Sequence, residues 1–349
     1  MKFTILFGGA SYEHEISIVS AIALKKVLKD NAGFIFLDAE GGFYDIAPEK
    51  MKSNLFSSGD YKKEPRLHLA KGGFAKKGML GSKTVETGTL VNLVHGAQGE
   101  DGTLAALLDF YAIPYIGPRK EASVVSFNKW LTKLYAEGLS LLTVDYQLLR
   151  IDEERQIDFD YPVIVKPVRL GSSIGVSIVK KPEELDFALD VAFEFDDEVL
   201  VEPFIEGIEE YNVAGCKTDE GWVIGRIEAP RKKEFLDFDQ KYLDFARTDS
   251  VQEAKIDETL ANDLVESFKK VYNTAFEGAV IRCDFFFASG EILLNEINPI
   301  PGSMANYLFD DFPATLEKVA RALPKPRRIR PDYAYIHKVQ SAKGPKMGS

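Results

Sequence analysis

The stretch "AVIRCDFFFASGEILLNEINPIPGSM", residues 279–304, constrains the chain most. Two apolar runs flank a Ser-Gly pair, which is the pattern of a β-hairpin. Arg282, Asp284, Glu296 and Asn298 interrupt those runs. Side chains alternate along a strand, so Arg282 and Asp284 share a face with Val280 and Phe286, while Ile281, Cys283, Phe285 and Phe287 fill the core face. On the return strand Glu296 and Asn298 share a face with Ile292 and Leu294. A two-residue Ser289-Gly290 turn would leave the two polar pairs on opposite sides of the sheet. A loop over 288–290 with Gly290 left-handed brings them to one side, and the sequence predicts that odd loop. Two carboxylates about 4 Å apart repel by roughly 4 kcal/mol at an effective dielectric of about 20, and one arginine offsets only part of that. A protonated carboxyl, a bound cation or an Arg-Asp-Glu ion cluster would each answer the conflict. Two acids and an amide oxygen, with no His or Cys, are hard ligands that suit Mg²⁺.

A magnesium site of few carboxylates usually completes its shell with phosphate oxygens and water, so a phosphate grip is expected elsewhere. No G-x-x-x-x-G-K-[ST] loop is present, and "FGGAS" after the first strand only partly matches a dinucleotide fingerprint. "YPVIVKPVRLGSSIGVSIV" offers Lys166 at a strand end and then Gly171, Ser172, Ser173 and Gly175. Backbone N–H groups of such a loop can cradle phosphates, although a plain hairpin turn has the same composition. "LVHGAQGEDGTLAALLDF" reads as a strand, a polar loop with His95, Glu100 and Asp101, and a helix start. Such βα loops bind ligands at helix N-termini, or the acids simply cap the helix.

The first third alternates strand and helix signals: "KFTILF", "SIVSAIALKKVLKD", "FIFLD", "LVNLVHG", "DGTLAALLDFYA" and "IPYIG". That alternation predicts a doubly wound parallel sheet. Residues 40–88, rich in Gly, Lys and Ser, resist assignment. A helix over about 122–137, closed by Gly138, leads into a more antiparallel remainder, with a further amphipathic helix at 257–276. A chain of 349 residues exceeds one usual core. The divisions predicted are 1–117, 118–201 and 202–335, with 336–349 as a tail that reads as disordered at "SAKGPKMGS".

A net charge of −11 argues against nucleic acid or an anionic membrane as main partner. No apolar run approaches the roughly 18–20 residues of a membrane span, and no secretory leader precedes the first strand. Cys216 and Cys283 have neither zinc-site nor disulfide spacing, so a reducing cytoplasm is expected.

Taken in order, "FGGASYEHEIS", "HGAQGEDG", "KPVRLGSSIGVS", "VEPFIEGIEEYNVA", "QKYLDF", "RCDFFF" and "NEINPIPGSM" resemble the D-alanine–D-alanine ligases, of the ATP-grasp fold, over nearly the whole chain. The resemblance implies an α/β chain in which an N-terminal domain precedes two mixed α+β domains that clasp ATP. It implies joining of two D-alanines through an acyl phosphate for peptidoglycan precursors, in a homodimer built through the N-terminal domain. Asp284, Glu296 and Asn298 would hold two Mg²⁺ (or Mn²⁺) ions. Arg282 and the Gly302 N–H would stabilise the transferring phosphate and the oxyanion. Lys129, Lys166 and Lys241 would contact ATP phosphates, and Glu202, Phe204, Ile205 and Glu210 would line the adenine and ribose pocket. Glu13 would hold the first D-alanine's ammonium, Ser172 and Tyr242 would bond with Glu13 in a lid, and His95 would lie near the first substrate. Many relatives carry a serine before the leucine that binds the second carboxylate. Here the pair is Tyr307-Leu308, which leaves the Leu308 N–H as donor and sets a tyrosine where those relatives have the serine. A D-alanine–D-lactate ligase or another ATP-grasp carboxylate–amine ligase is the nearest alternative. A nucleotide-binding module without catalysis is the more distant one, opposed by the intact polar set of the hairpin.

Overall fold

The computed structural model of the chain describes residues 1–78, 81–230, 253–325 and 330–343. Among them the strands form three sheets. The first holds β1 (Phe3–Gly8), β2 (Ala32–Leu37), β3 (Phe43–Ile46), β4 (Arg66–Ala70), β5 (Gly73–Gly78), β6 (Gly81–Val85), β7 (Thr89–Asn92) and β8 (Tyr115–Ile116), in the order β6-β5-β4-β3-β2-β1-β7-β8. The strands β2-β1-β7-β8 are parallel, as the alternation predicted. Central β1 is buried along its whole length, as a strand covered on both faces requires. The unassigned stretch 40–88 supplies an antiparallel extension, β3 to β6. Helices α1 (His14–Leu28), α2 (Ser53–Ser57) and α3 (Thr103–Phe110) accompany this sheet.

The expected helix over 122–137 is two helices, α4 (Lys120–Phe127) and α5 (Lys129–Gly138). Asn128 breaks them with extended backbone, and its side chain accepts from the Leu131 N–H as the cap of α5. The left-handed residue after α5 is Ser140, not the predicted Gly138. Both helices pack against the last strand of the third sheet.

The second sheet is antiparallel, in the order β11-β10-β12-β9: β9 (Gln147–Arg150), β10 (Val163–Pro167), β11 (Ser177–Val179) and β12 (Glu198–Pro203). With α6 (Leu185–Phe193) it builds its own core from Val163, Val165, Leu189, Val199 and Val201. The third sheet is β14-β13-β15-β16: β13 (Glu209–Thr218), β14 (Gly221–Ile224), β15 (Ile281–Ala288) and β16 (Glu291–Asn298). α7 (Glu258–Ala275) lies on it, capped by Asp257 on the Leu260 N–H at 2.9 Å, with Leu264, Phe268, Val271 and Tyr272 inward at helical spacing. One continuous apolar cluster joins this sheet to the α1 face of the first, from Phe7 and Phe34 to Phe268 and Phe285. α8 (Phe312–Arg321) follows, and then α9 (Ala334–Lys343), which is helical in part of the predicted tail.

The hairpin departs from its predicted register in an informative way. Ala288 pairs with Glu291, so the turn has two residues, Ser289 and Gly290, at φ 53° and 84°. Two positive φ values match the right-handed strand twist. Phe285 then pairs with Leu294 but Asp284 with Glu296, which leaves Asn295 as a bulge. The extra residue lies in the strand, and the polar pairs still reach one face. Their neighbour on that face is Leu293, not the expected Ile292 and Leu294.

Candidate active site

The parallel strands β1 and β7 end side by side, and the loops after them interlock. The Ala10 N–H donates to Gln98 Oε1 at 2.8 Å, and Ser11 Oγ donates to the His95 carbonyl at 2.7 Å. Ligands in open α/β sheets bind beyond the carboxyl ends of such strands. Glu13, just before α1, is buried there. Ser172 Oγ donates to Glu13 Oε1, while Glu13 Oε2 has no hydrogen-bond partner. The Gly-Ser loop therefore meets the residue that precedes α1, with Ser172 and Ser173 left-handed at φ 55° and 57°. Gly171 allows the approach: a Cβ there would lie 2.9 Å from Glu13 Oε1.

Around Glu13 the charges are muted. Burial, helped by nearby Glu100, pushes the Glu13 carboxyl up to about 7. Burial pushes Glu100 up to about 8 and lowers His95 to about 4. His95 is thus neutral at physiological pH, with Nδ1 3.5 Å from Glu100 Oε1 and Nε2 3.2 Å from Ser20 Oγ. Ser20 also accepts from the Ser303 N–H at 3.1 Å, which ties His95 to the turn after the hairpin. That turn, Gly302–Leu308, holds Ser303, Met304 and Ala305 at φ 49°, 55° and 49°. Three successive left-handed non-glycine residues cost about 1–2 kcal/mol each, and such strain concentrates where backbone groups serve a site.

On the hairpin face Arg282 spans Asp284 with two parallel bonds, Nε to Oδ1 at 2.6 Å and Nη2 to Oδ2 at 2.7 Å. Asn298 Nδ2 donates to Asp284 Oδ2 at 3.0 Å. Burial raises the Asp284 carboxyl; Arg282 opposes that, and Glu296 opposite in the register adds to it. Next to Asp284 on β13 is Asn212, whose buried Oδ1 has no partner. Among the described residues no three His, Cys, Asp or Glu side chains gather at metal-binding spacing. Two opposed carboxylates with amide oxygens beside them still fit a hard cation that takes its other ligands from phosphate and water.

A second charged cluster lies between α5 and the second sheet. Glu202 is bridged by Lys166 at 2.5 Å and Lys133 at 2.6 Å. Burial alone would raise the Glu202 carboxyl; the two lysines outweigh it and hold it below its ordinary value. One turn before Lys133, Lys129 Nζ donates to the Leu170 carbonyl at the start of the Gly-Ser loop. Phe204 and the exposed Ile205 follow β12, and Glu210 sits on β13 opposite Phe286. The structure thus gathers Glu13, His95, Ser172 and Lys129 beyond the carboxyl ends of β1 and β7, and Arg282, Asp284, Glu296, Asn298 and Gly302 along the hairpin and the turn after it. Tyr307 Oη donates to Glu228 Oε2 at 3.3 Å, and the Leu308 carbonyl accepts from the Arg226 N–H at 2.8 Å. Lys241 and Tyr242 lie outside the described residues. Sequence reasoning missed Lys133, Ser20 and Asn212; for Lys133 the signal was its i+4 spacing from Lys129, on the α5 face that carries buried Thr132 and Ala136.

Comparison with known proteins fits this geometry. The family model described as "D-ala D-ala ligase N-terminus" matches residues 2–118, and "D-ala D-ala ligase C-terminus" matches residues 139–315. A D-alanine–D-alanine ligase of Wolinella succinogenes is 57% identical over 344 residues, covering 99% of this chain and 100% of that one. The crystal structure of the D-alanine–D-alanine ligase from Helicobacter pylori superposes with a TM-score of 0.83 at 51% identity, over 94% of this chain and 100% of that chain. The VanG D-Ala:D-Ser ligase of Enterococcus faecalis, at 24% identity and TM-score 0.72 over 92% of this chain and 97% of that chain, shares the fold. With both family models matched in order and whole-chain relatives above half identity, the chain belongs to the D-alanine–D-alanine ligase family, of the ATP-grasp fold.

Proposed function

We propose that the chain joins two D-alanines to D-alanyl-D-alanine at the expense of ATP. The observation that carries this reading is a buried Glu13 with one unpartnered oxygen and the Arg282–Asp284–Glu296–Asn298 set of the hairpin, with Lys129 close enough to feel the charge of both Glu13 and Glu296, within a family of ATP-dependent ligases. The carboxylate of the first D-alanine attacks the γ-phosphate, ADP leaves, and an acyl phosphate forms. The amine of the second D-alanine then attacks the acyl carbon, and inorganic phosphate departs. Glu13 holds the first ammonium, a task its unpartnered Oε2 suits. Neutral His95 orders the wall beside it through Ser20 and Glu100. Lys129 and Lys166 take the phosphates, with Lys241 joining them, and Glu202, Phe204, Ile205 and Glu210 take the adenine and ribose. Arg282 and the Gly302 N–H stabilise the transferring phosphate and the tetrahedral oxyanion. The Leu308 N–H receives the second carboxylate. Tyr307 is committed to Glu228, which leaves its hydroxyl as a wall of that subsite. Asp284, Glu296 and Asn298 are the residues that would hold two Mg²⁺ ions, whose charge offsets that of the phosphates during transfer. Tyr242 and Ser172 would close the lid that keeps water from the acyl phosphate.

ATP turnover measured against a panel of D-amino and D-hydroxy acids tests the reading. Turnover should be highest with D-alanine and should yield the dipeptide. Phosphate release independent of D-alanine would return the chain to a plain nucleotide binder, and a preference for D-lactate would favour the depsipeptide alternative.

Two smaller effects follow from the Glu13 pocket. Below pH 7 Glu13 is protonated and cannot pair with an ammonium; above it the carboxylate is free to do so. The kcat/KM for the first D-alanine is therefore expected to rise about tenfold from about pH 6 to about pH 8, a rise that Glu13→Gln removes. A flat profile would contradict the assignment. Gly171→Ala pushes a methyl against the same carboxylate. The KM for the first D-alanine should rise by roughly tenfold or more while that for ATP moves little, as steady-state kinetics with each substrate varied will show.

The cytoplasm, where ATP is available, is the location this reading implies, and the two free cysteines are buried. Among the described residues no helix is long and apolar enough to cross a membrane. A homodimer through the N-terminal domain is the expected assembly. Phe110 on α3, 83% exposed, is apolar surface that could serve it, and light scattering reads the result.

A further inference from the structure

Two lysines on one buried carboxylate are more positive charge than the carboxylate requires. Lys133 is the deeper: its side chain is 2% exposed, its Nζ lies 2.6 Å from Glu202 Oε1, and it also donates to the Val144 carbonyl at 3.0 Å. Lys166 reaches Oε2 instead, from β10, and its side chain is 14% exposed. Its position is diagonal to Glu202, since Ile164 pairs with Glu202 across β10 and β12. The two Glu202 oxygens are thus divided, one to a lysine fixed inside the fold and one to a lysine partly open to solvent.

We propose that Lys133 is a positioning residue for nucleotide binding, the standing counter-ion of Glu202 that leaves Lys166 free to move to the phosphates of ATP. This rests on the reading that Lys166 takes phosphate and Glu202 takes the adenine. The exchange balances in charge. Lys166 passes from a carboxylate to a phosphate, the adenine amino group donates to the vacated Oε2, and Glu202 stays paired through Oε1. Without Lys133, the departure of Lys166 would strand a buried carboxylate with no cation, which is strongly unfavourable. Lys166 would then remain on Glu202 and compete with ATP. The pocket's second cation is what makes the first one transferable.

The test is a double-mutant cycle read by calorimetry with Mg²⁺ and the non-hydrolysable analogue AMP-PNP, alongside the KM for D-alanine at saturating ATP. Lys133→Met should weaken the nucleotide by roughly tenfold or more while the D-alanine KM stays within about twofold. Lys133→Arg, which keeps the charge, should recover most of the affinity. In a Glu202→Gln background no carboxylate remains to be stranded, so adding Lys133→Met should cost less than about twofold. If Lys133→Met alone does not fold, the comparison of Glu202→Gln with Lys133→Met/Glu202→Gln still decides, because the double variant strands no charge at either position. A further tenfold loss in the Glu202→Gln background overturns the proposal. So does wild-type nucleotide affinity in Lys133→Met when Lys166→Met has lost about tenfold. Undiminished affinity in Lys166→Met would instead sink the phosphate assignment, and this proposal with it.

Discussion

Asp284→Asn is expected to reduce turnover by about 1,000-fold or more, the equivalent of several kcal/mol of charge stabilisation at the phosphates. Asparagine keeps the shape of the side chain and one acceptor oxygen. It removes the charge that, with Glu296, makes this face of the hairpin suitable for divalent cations. The effect should persist in excess Mg²⁺, since the lost ligand charge is not restored by mass action alone. The measurement is phosphate release at saturating ATP and D-alanine, on protein whose circular dichroism matches the parent chain. Activity near that of the parent in excess Mg²⁺ would contradict the metal assignment and leave the hairpin as an ion cluster.

Arg282→Lys is expected to slow kcat by roughly 30- to 1,000-fold, from a loss of about 2–4 kcal/mol of transition-state stabilisation. The guanidinium now spans both Asp284 oxygens; lysine keeps a cation beside that carboxylate but loses the planar fork that can hold two phosphate oxygens at once. If Arg282 were only a partner of Asp284, lysine would nearly suffice, and ATP binding and turnover would fall together and slightly. If it serves the transferring phosphate and the oxyanion, ATP affinity should hold while kcat falls, because the missing contact is made mainly in the transition state. Calorimetry of ATP binding and phosphate release in one buffer separate the two outcomes.

The hairpin shows how far sequence reasoning reaches. Alternation identified which residues of β15 share a face, because a period of two depends on the backbone alone; on β16 it grouped Ile292 and Leu294 with Glu296 and Asn298, where the bulge puts Leu293 instead. It could not say where the extra residue goes. The sequence predicted an odd turn, whereas Asn295 bulges within β16 after a tight Ser289-Gly290 turn. Both solutions restore the same polar face, so the pattern does not distinguish them. The parallel half of the first sheet was legible from apolar runs alternating with amphipathic helices. Its antiparallel half was not, because β6, "GSKTV", is exposed along most of its length and carries no buried stripe. Single lysines posed a different problem. Lys129 and Lys166 could be assigned through motifs, but Lys133 looks like any helical lysine until folding places it on buried Glu202. Ser20 and Asn212 matter through contacts with residues far away in sequence, which spacing does not encode.

The most direct measurement follows oxygen. D-alanine labelled with ¹⁸O in its carboxylate is incubated with the enzyme, ATP and Mg²⁺, and both dipeptide and inorganic phosphate are analysed by mass spectrometry. An acyl phosphate carries one carboxylate oxygen of the first D-alanine on its phosphorus, and the attack of the second amine releases that oxygen with the phosphate. One labelled oxygen is therefore expected in the phosphate for each D-alanyl-D-alanine formed. Phosphate free of label, or labelled phosphate without dipeptide, would contradict ligation through an acyl phosphate.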